Sequence, residues 1–379
     1  MKKLLMMLVL MPLMGLADKE TVDGIEWTYT VKDGKARIEE GLSQSATGSI
    51  TIPSMLGGCP VTSIGDSAFC GCSNLTSVTI PASLTNVCRC AFSNCGALRS
   101  FAVDDKNAKY SSRSGLLCSK DGTTLVAGVN GDVTIPSSVA NIGTYAFGRC
   151  SGLKTVEIPS SVVDIGFCAF YGCSGLKSFS VSSDNPSYSS HNGLLCSKDG
   201  AVLIAGVNGN VTIPDVVTSI GECAFQRYEE LVSVAIPSSV TNIGVCAFSG
   251  CVSLLSARIP SSVRCVECQA FLGCRKMRAL EISKGVTRIG EHAFFSCDEI
   301  ESVTIPQGVT SIGDGTFCLC RGLKSVMMPS GLISVGKYAF SRCNGLSSVM
   351  IPSTVTSIGE GAFSECGGLK TVVMSSHVS

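Results

Sequence analysis

The chain of 379 residues has few charged side chains and few of the residues that most enzymatic chemistry requires. Charged residues make up 15% of it, the formal net charge is zero, and there are three histidines and one tryptophan. A nucleic-acid-binding protein would show a basic surface, and a protein held on an anionic membrane would show a polybasic cluster. The composition therefore argues against both classes.

Long apolar runs are also absent. The longest apolar run, Leu4 to Met14, is shorter than the roughly 20 residues that a membrane-spanning helix needs. Lys2 and Lys3 precede this run, and small residues at Gly15 and Ala17 follow it. These features predict a secretory signal peptide over residues 1–17. We therefore expect a chain that is secreted or associated with the cell surface, without a membrane span.

No group of residues indicates catalysis, a cofactor or a metal. The histidines lie at variable or terminal positions, and no Walker loop or dinucleotide-binding fingerprint occurs. The pairs Cys265-x-x-Cys268, Cys70-x-Cys72 and Cys318-x-Cys320 belong to different repeats, whereas a structural zinc site needs four ligands. We expect no catalytic residue, no cofactor and no metal, and we interpret the chain as a non-enzymatic protein.

The sequence does contain a strong repeat, marked by a phenylalanine that follows alanine in every copy but one. Consecutive copies are 23 residues apart, except that Phe92 to Phe147 and Phe170 to Phe225 are 55 apart. The repeated residues are Phe69, Phe92, Phe147, Phe170, Phe225, Phe248, Phe271, Phe294, Phe317, Phe340 and Phe363. Because stacked units bury a core that one unit cannot bury alone, each Phe is predicted to rest on the next in a ladder.

One repeat unit reads L-x-x-V-x-I-P-x-x-V-T-x-I-G-x-x-A-F-x-x-C-x-x, as in residues 231–253. The alternation of Val234 and Ile236 predicts a strand, which should end before Pro237 because proline cannot donate to a strand ladder. A second short extended piece is predicted to end at Ile243.

The end of the unit predicts a turn. Gly244 suits either a positive φ or a close approach of two backbones. Phe248, Cys251 and Leu254 follow at three-residue spacing, which is typical of a tight 3₁₀-like turn.

The segments that depart from the repeat are predicted to be hairpins. Two inserts, near residues 103–134 and 181–212, share a Lys-Asp-Gly turn and should each project from the array or extend one coil. Residues 18–48 alternate about Asp33-Gly34 and should cap the N-terminal edge. The repeats then occupy residues 49–379.

This repeat pattern closely resembles that of the BspA-like leucine-rich repeats, over nearly everything from Ile50 to Met374. The resemblance implies a right-handed solenoid of about eleven 23-residue coils, with short parallel strands and tight 3₁₀ or helical turns. It also implies a secreted or surface-displayed protein used for adhesion, which binds an extracellular protein or glycan.

The 22 cysteines leave two interpretations open. Ten of them lie three residues after the repeated Phe, at Cys72, Cys95, Cys150, Cys173, Cys251, Cys274, Cys297, Cys320, Cys343 and Cys366. Their phase favours a buried ladder of reduced thiols, because free Cys packs as a small hydrophobe. The alternative is oxidation between neighbouring coils. Cys223 and Cys246, two residues before the Phe, are then the best candidate pair.

Variable strand positions would carry any binding function. The outward position between the two apolar strand residues ends in an apolar series, the methionine stripe, at Met327, Met350 and Val373. The position three residues earlier includes a basic row at Arg278, Lys324 and Lys370. We interpret these six residues as a candidate binding face. The alternatives are that the stripe fills a shallow curve and that the basic row keeps the protein soluble.

A structural role is the second functional hypothesis. The last repeat has no recognisable cap, so its edge should be exposed, meet a partner, or mark a truncated copy of a longer array. A spacer or matrix component would associate with copies of itself through this edge.

Overall fold

The computed structural model describes residues 17–39 and 46–374. The predicted signal peptide, apart from Ala17, and residues 40–45 of the predicted cap lie outside the described residues. Two compact units make up the chain, Met1–Gly122 and Thr123–Ser379. The described residues of both units form strands and turns and contain no helix.

Each coil begins with a first strand that pairs in parallel with the first strand of at least one neighbouring coil. In the first unit the first strands are Gly48–Thr51, Leu75–Ile80 and Ser100–Val103. In the second unit they are Gly131–Thr134, Leu153–Ile158, Ser178–Val181, Gly209–Thr212, Leu231–Ala235, Ser256–Ile259, Ala279–Ile282, Ser302–Thr304, Ser325–Met327, Ser348–Ile351 and Thr371–Met374. The strand Leu231–Ala235 ends before Pro237, as predicted.

Within the described residues, a second strand follows in every coil except the one that starts at Thr371–Met374, and the second strands pair in parallel with one another. In the first unit the second strands are Cys59–Ile64 and Asn86–Val87. In the second unit they are Thr124–Ala127, Asn141–Ile142, Asp164–Ile165, Val202–Ala205, Ser219–Ile220, Asn242–Ile243, Cys265–Val266, Arg288–Ile289, Ser311–Ile312, Ser334–Val335 and Ser357–Ile358. The remaining strands of the coils, all antiparallel, are Met55–Leu56, Tyr110–Arg113, Leu116–Ser119, Tyr188–His191 and Leu194–Ser197.

The turn around each Phe forms a third hydrogen-bonded ladder between coils. The Phe225 amide donates to the Ala247 carbonyl at 2.7 Å, and the Phe248 amide donates to the Ala270 carbonyl at 2.7 Å. Hydrogen bonds of the 3₁₀ type do occur, for example from the Cys251 amide to the Phe248 carbonyl at 3.2 Å. They do not continue into a helix, because Gly250 between them has a φ of 76°.

The glycine before this turn is needed for close approach and not for a positive φ. A Cβ on Gly244 would lie 2.9 Å from the Glu222 amide nitrogen of the preceding coil, too close for a real side chain. The structure therefore decides between the two roles that the sequence left open for Gly244.

The number of coils exceeds the predicted eleven, because fourteen first strands are present: three in the first unit and eleven in the second. The difference comes from the final strand and from coils that lack the repeated Phe. In the coil that starts at Ser178–Val181, Gly206 takes the place of the Phe. A residue with a side chain would not fit there, because a Cβ on Gly206 would lie 1.9 Å from the Phe225 ring.

The second insert is therefore an enlarged coil. Leu194–Ser197 pairs antiparallel with Val202–Ala205 across the predicted Asp199-Gly200 turn, and Tyr188–His191 adds a third antiparallel strand. Val202–Ala205 then pairs in parallel with Ser219–Ile220, so it continues the sheet of second strands. Of the two predicted arrangements, the insert extends a coil.

The N-terminal segment forms three antiparallel strands, Asp18–Val22, Ile25–Lys32 and Lys35–Ile38, one more than the predicted hairpin. Lys35–Ile38 continues in parallel onto Cys59–Ile64. Trp27 is buried and meets the Phe69 ring edge-on at 6.1 Å between centroids. These strands cover the first ring of the Phe ladder and join the sheet of second strands.

Candidate binding surface

The methionine stripe lies on the first-strand face, which we define as the outward side chains of the first strands. Met327, Met350 and Val373 are 67%, 62% and 43% exposed. Met350 and Val373 are direct partners in adjacent parallel strands, and Met327 pairs in the same way with Thr304. The neighbouring Val326 and Val349 are buried, because alternate strand residues point to opposite faces.

The basic row is mostly paired with acidic residues. Lys324 Nζ lies 2.9 Å from Glu301 Oε2, and Arg278 Nε lies 2.7 Å from Glu299 Oε2. Lys370 forms no ion pair within residues 17–39 and 46–374. The row is therefore a series of ion pairs with one unpaired lysine.

These ion pairs stabilise the charged forms of their members. A hydrogen bond from Lys324 and its positive charge lower the pKa of Glu301, and the hydrogen bond to Glu299 raises the pKa of Arg278. All of these side chains are solvent-exposed, so the pairs contribute little to folding stability. Their main effect is to fix the charge pattern of the first-strand face.

A surface groove of about 540 Å³ adjoins this charge pattern. It is lined by side chains that include Arg258, Arg278, Glu281 and Glu301. The strands Ala279–Ile282 and Ser302–Thr304 on its floor belong to separate hydrogen-bonded sheets. The groove therefore opens where the ladder of first strands is interrupted, and it presents both signs of charge to a ligand.

The Phe residues of the predicted ladder stack in two series within the second unit. Phe147 and Phe170 stack at 5.3 Å between centroids. A longer series runs from Phe225 through Phe248, Phe271, Phe294, Phe317 and Phe340 to Phe363, with centroid distances from 4.9 to 5.5 Å. In the first unit Phe69 and Phe92 stack at 5.0 Å. The enlarged coil separates the two series, and Phe179 covers Phe170 edge-on at 4.8 Å.

The cysteines three residues after the Phe are free thiols that pack beneath the rings. Nine of the ten are buried and Cys366 is half-buried. Burial raises the pKa of Cys150 to about 12 and holds the pKa values of Cys173, Cys274 and Cys297 well above the usual range. These four thiols are protonated at neutral pH and are poor nucleophiles.

Eight of the ten thiols have a role that the sequence pattern did not reveal. The Cys274 thiol donates to the Phe248 carbonyl at 3.3 Å, and the Cys320 thiol donates to the Phe294 carbonyl at 3.2 Å, always to the Phe of the preceding coil. Alanine at this position would fill less space and could not donate. The donor and the acceptor are always 26 residues apart, and this constant separation could have indicated the hydrogen bond from the sequence.

Two buried asparagines were also missed by the sequence analysis, which predicted only a hairpin for the insert that contains them. Asn185 donates through Nδ2 to the Pro159 and Val162 carbonyls at 2.7 and 3.0 Å and accepts from the Tyr188 amide at 2.8 Å. Asn208 donates to the Cys173 carbonyl at 2.9 Å. Both anchor the enlarged coil. The near identity of the two inserts is the sequence feature that could have pointed to these asparagines.

No group of three or more His, Cys, Asp or Glu side chains in the described residues is arranged to hold a metal ion. Among the same residues, no helix has the length and apolarity to cross a membrane.

Comparisons with known proteins agree on one fold. The family model for the BspA type leucine rich repeat region, which has six copies, matches residues 42–120, 130–198, 208–321 and 287–379. A leucine-rich repeat protein from Eubacterium ventriosum is 25% identical, with 93% of this chain and 95% of that chain covered and a TM-score of 0.64. One from Bacteroides ovatus is 24% identical, with 93% and 88% covered and a TM-score of 0.51. A search of curated proteins gives no match.

Proposed function

Because the chain belongs to the BspA-type leucine-rich repeat family, we propose that it is a secreted or surface-associated binding protein without catalytic activity. In this proposal the first-strand face of the second unit binds an extracellular protein or glycan. A repeat array presents outward side chains at the same positions in every coil, which suits an extended ligand surface better than a small substrate.

The exposure of the methionine stripe carries this proposal. Met327 and Met350 are among the most exposed large apolar side chains of the described residues, and Val373 continues their series. Exposed apolar series of this kind often mark contact surfaces, and Met adapts its shape to a partner. The ion pairs and the groove beside the stripe would add a polar rim to such an interface.

Binding of the purified chain, verified as a monomer by size, to an array of matrix proteins and acidic glycans tests this proposal. We expect saturable binding that Met327→Glu/Met350→Glu weakens by about tenfold or more, because a charge in the centre of an interface must be desolvated. Ser180→Glu is the matched control, since Ser180 has the same exposed strand position in a distant coil of the same unit. Loss of binding in the control alone would contradict this face.

Charge reversal separates the contribution of the basic row from that of the stripe. Lys324→Glu places a second carboxylate beside Glu301, and Glu301→Lys in the same chain restores an ion pair of reversed order. If the ligand needs a cation at Lys324, the double variant stays weak. If it needs only a neutral pair, the double variant recovers binding. Lys370→Glu tests the unpaired lysine.

The alternative is self-association through the last described strand, and one observation favours it. Val372 and Met374 in Thr371–Met374 are 51% and 58% exposed, whereas Val349 and Ile351 in the preceding first strand are both 2% exposed. Sedimentation at increasing concentration distinguishes the two functions. Assembly that disappears in Met350→Glu/Val373→Glu, together with no foreign ligand, would favour the structural role.

A further inference from the structure

Three cysteines outside the buried ladder form a column on the turn edge of the second unit. Cys168, Cys223 and Cys246 each lie two residues before a ladder Phe and are half-buried. Their φ angles are 50°, 57° and 54°, in the left-handed region that non-glycine residues seldom adopt. The shared backbone conformation gives the three side chains the same direction on successive turns.

The enlarged coil makes this column continuous. It has no Phe turn of its own, so the turn of Phe170 lies directly against the turn of Phe225. The Gly172 amide donates to the Gln226 carbonyl at 3.0 Å across this junction. The 55 residues between Cys168 and Cys223 in the sequence therefore correspond to one step at the turn edge.

The three thiols interact with one another. Cys223 lies in the middle, and its interactions with Cys168 and Cys246 raise its pKa, whereas they lower the pKa of the two outer thiols. The Cys168 and Cys246 thiols also donate to Gln226 Oε1 at 3.6 Å and to Gln269 Oε1 at 3.2 Å. The outer thiols are therefore deprotonated more readily than Cys223.

A cavity of about 140 Å³ lies beside Cys168 and Cys223. Cys168, Cys223, Phe167 and Tyr171 line it, together with Tyr228, whose buried hydroxyl has no hydrogen-bond partner within the described residues. A cavity of this size admits small molecules, and Tyr228 offers them a hydrogen bond. The Cys168–Cys223 pair therefore borders a space that other side chains do not fill.

We propose that Cys168, Cys223 and Cys246 form a thiol–disulfide exchange site, in which Cys223 shares a disulfide with one neighbour while the other neighbour remains a thiol. Adjacent rungs are about 4.8 Å apart, within the Cα separation that a disulfide allows. Cys168 and Cys246 are two rungs, or about 10 Å, apart and cannot pair directly.

The oxidant is a low-molecular-weight disulfide, written RSSR. The Cys168 thiolate attacks one sulfur of RSSR and releases RS⁻, which leaves a mixed disulfide on Cys168. The Cys223 thiolate then attacks the Cys168 sulfur and releases the second RS⁻. Two protein thiols are oxidised to one disulfide, RSSR is reduced to two RSH, and the two thiol protons go to the leaving thiolates.

The third thiol moves the disulfide without further oxidation. The Cys246 thiolate attacks Cys223, forms the Cys223–Cys246 disulfide and releases Cys168 as a thiolate. The free thiol is thereby transferred from one end of the column to the other. Oxidised glutathione is a suitable probe of the whole sequence.

Peptide mapping after oxidation and alkylation tests the site, because trypsin places the three cysteines in different peptides, 155–177, 199–227 and 228–258. In the full chain with oxidised glutathione, we expect one disulfide per molecule, divided between Cys168–Cys223 and Cys223–Cys246. Cys168→Ser should leave only the second bridge, and Cys246→Ser only the first. Cys223→Ser should leave neither, with glutathione adducts on the outer cysteines instead.

Cys318→Ser is the matched control, since Cys318 is also a half-buried thiol of a Phe turn. It should leave the pattern unchanged, and circular dichroism should show that every variant keeps the wild-type fold. Bridges that persist in Cys223→Ser, or bridges mainly among other cysteines, would overturn the proposal. So would three fully alkylated thiols after saturating oxidation of the wild-type chain.

Discussion

At the scale of single residues, the buried cysteines couple stability to pH. Burial raises the pKa of Cys150 to about 12 and of Cys196 to about 11, from an ordinary value of 9.0. Above pH 9 the unfolded chain loses these protons while the folded chain keeps them, so rising pH favours unfolding. The stabilisation is complete below pH 9 and is lost as the pH rises towards the folded-state pKa.

We therefore expect the free energy of unfolding, measured in urea, to fall between pH 9 and about pH 11. Cys150→Ala, compared with wild type, should show a shallower fall, because it removes one group with a raised pKa. The same slope in both proteins would show that Cys150 does not contribute. A free energy that increases over this range would contradict the whole explanation.

The stacked rings give a second prediction at this scale. Phe271→Ala should lower the free energy of unfolding by about 3–5 kcal/mol, because it leaves a cavity between Phe248 and Phe294. Phe271 is fully buried and stacks on these two rings at 4.9 and 5.5 Å. Phe363 stacks on Phe340 alone among the described rings, so Phe363→Ala should cost less. Equal losses in urea denaturation would mean that stacking on both sides does not matter.

At the scale of elements, the enlarged coil has Gly206 at the position where other coils have the repeated Phe. Gly206→Ala should destabilise the second unit by about 1–3 kcal/mol, because its Cβ would clash with the Phe225 ring at 1.9 Å. Gly367 has open space around its Cα and is the control, so Gly367→Ala should change stability by less than about 0.5 kcal/mol. Thermal unfolding of both variants measures the difference, and a neutral Gly206→Ala would show that Phe225 can move aside.

Some strands and turns could be predicted because local sequence patterns determine them. The strand Leu231–Ala235 and its end before Pro237 follow from local alternation and from the missing amide hydrogen of proline. The hairpin around Asp199-Gly200 follows from turn chemistry. The added strands Asp18–Val22 and Tyr188–His191 have little alternation, and they form because a neighbouring strand offers an edge.

At the scale of the whole molecule, secretion is the prediction that most limits the biological role. We expect the chain to be exported and cleaved before Asp18, because the segment over residues 1–17 has the charge, apolar core and small residues of a signal peptide. Sequencing the N-terminus of protein from the culture medium measures this. Ala17→Arg should block cleavage at that bond. An intact Met1 on protein retained inside the cell would contradict the prediction.

The sequence alone determined the family, the solenoid fold and the residues that fill the core. It could do so because a 23-residue period fixes which side chains return to the same place in every coil. The outward direction of Met327 and Met350 followed in the same way from strand alternation, and both side chains are exposed, but whether they bind a partner stays a prediction.

Only the tertiary structure decided which residues from different coils meet. It paired Lys324 with Glu301, gave eight thiols of the ladder a carbonyl acceptor on the preceding coil, and brought Cys168 beside Cys223. The sequence period could not show the contact between Cys168 and Cys223, because the enlarged coil contributes strands but no Phe turn. The step between neighbouring turns there is 55 residues in sequence and one rung in space.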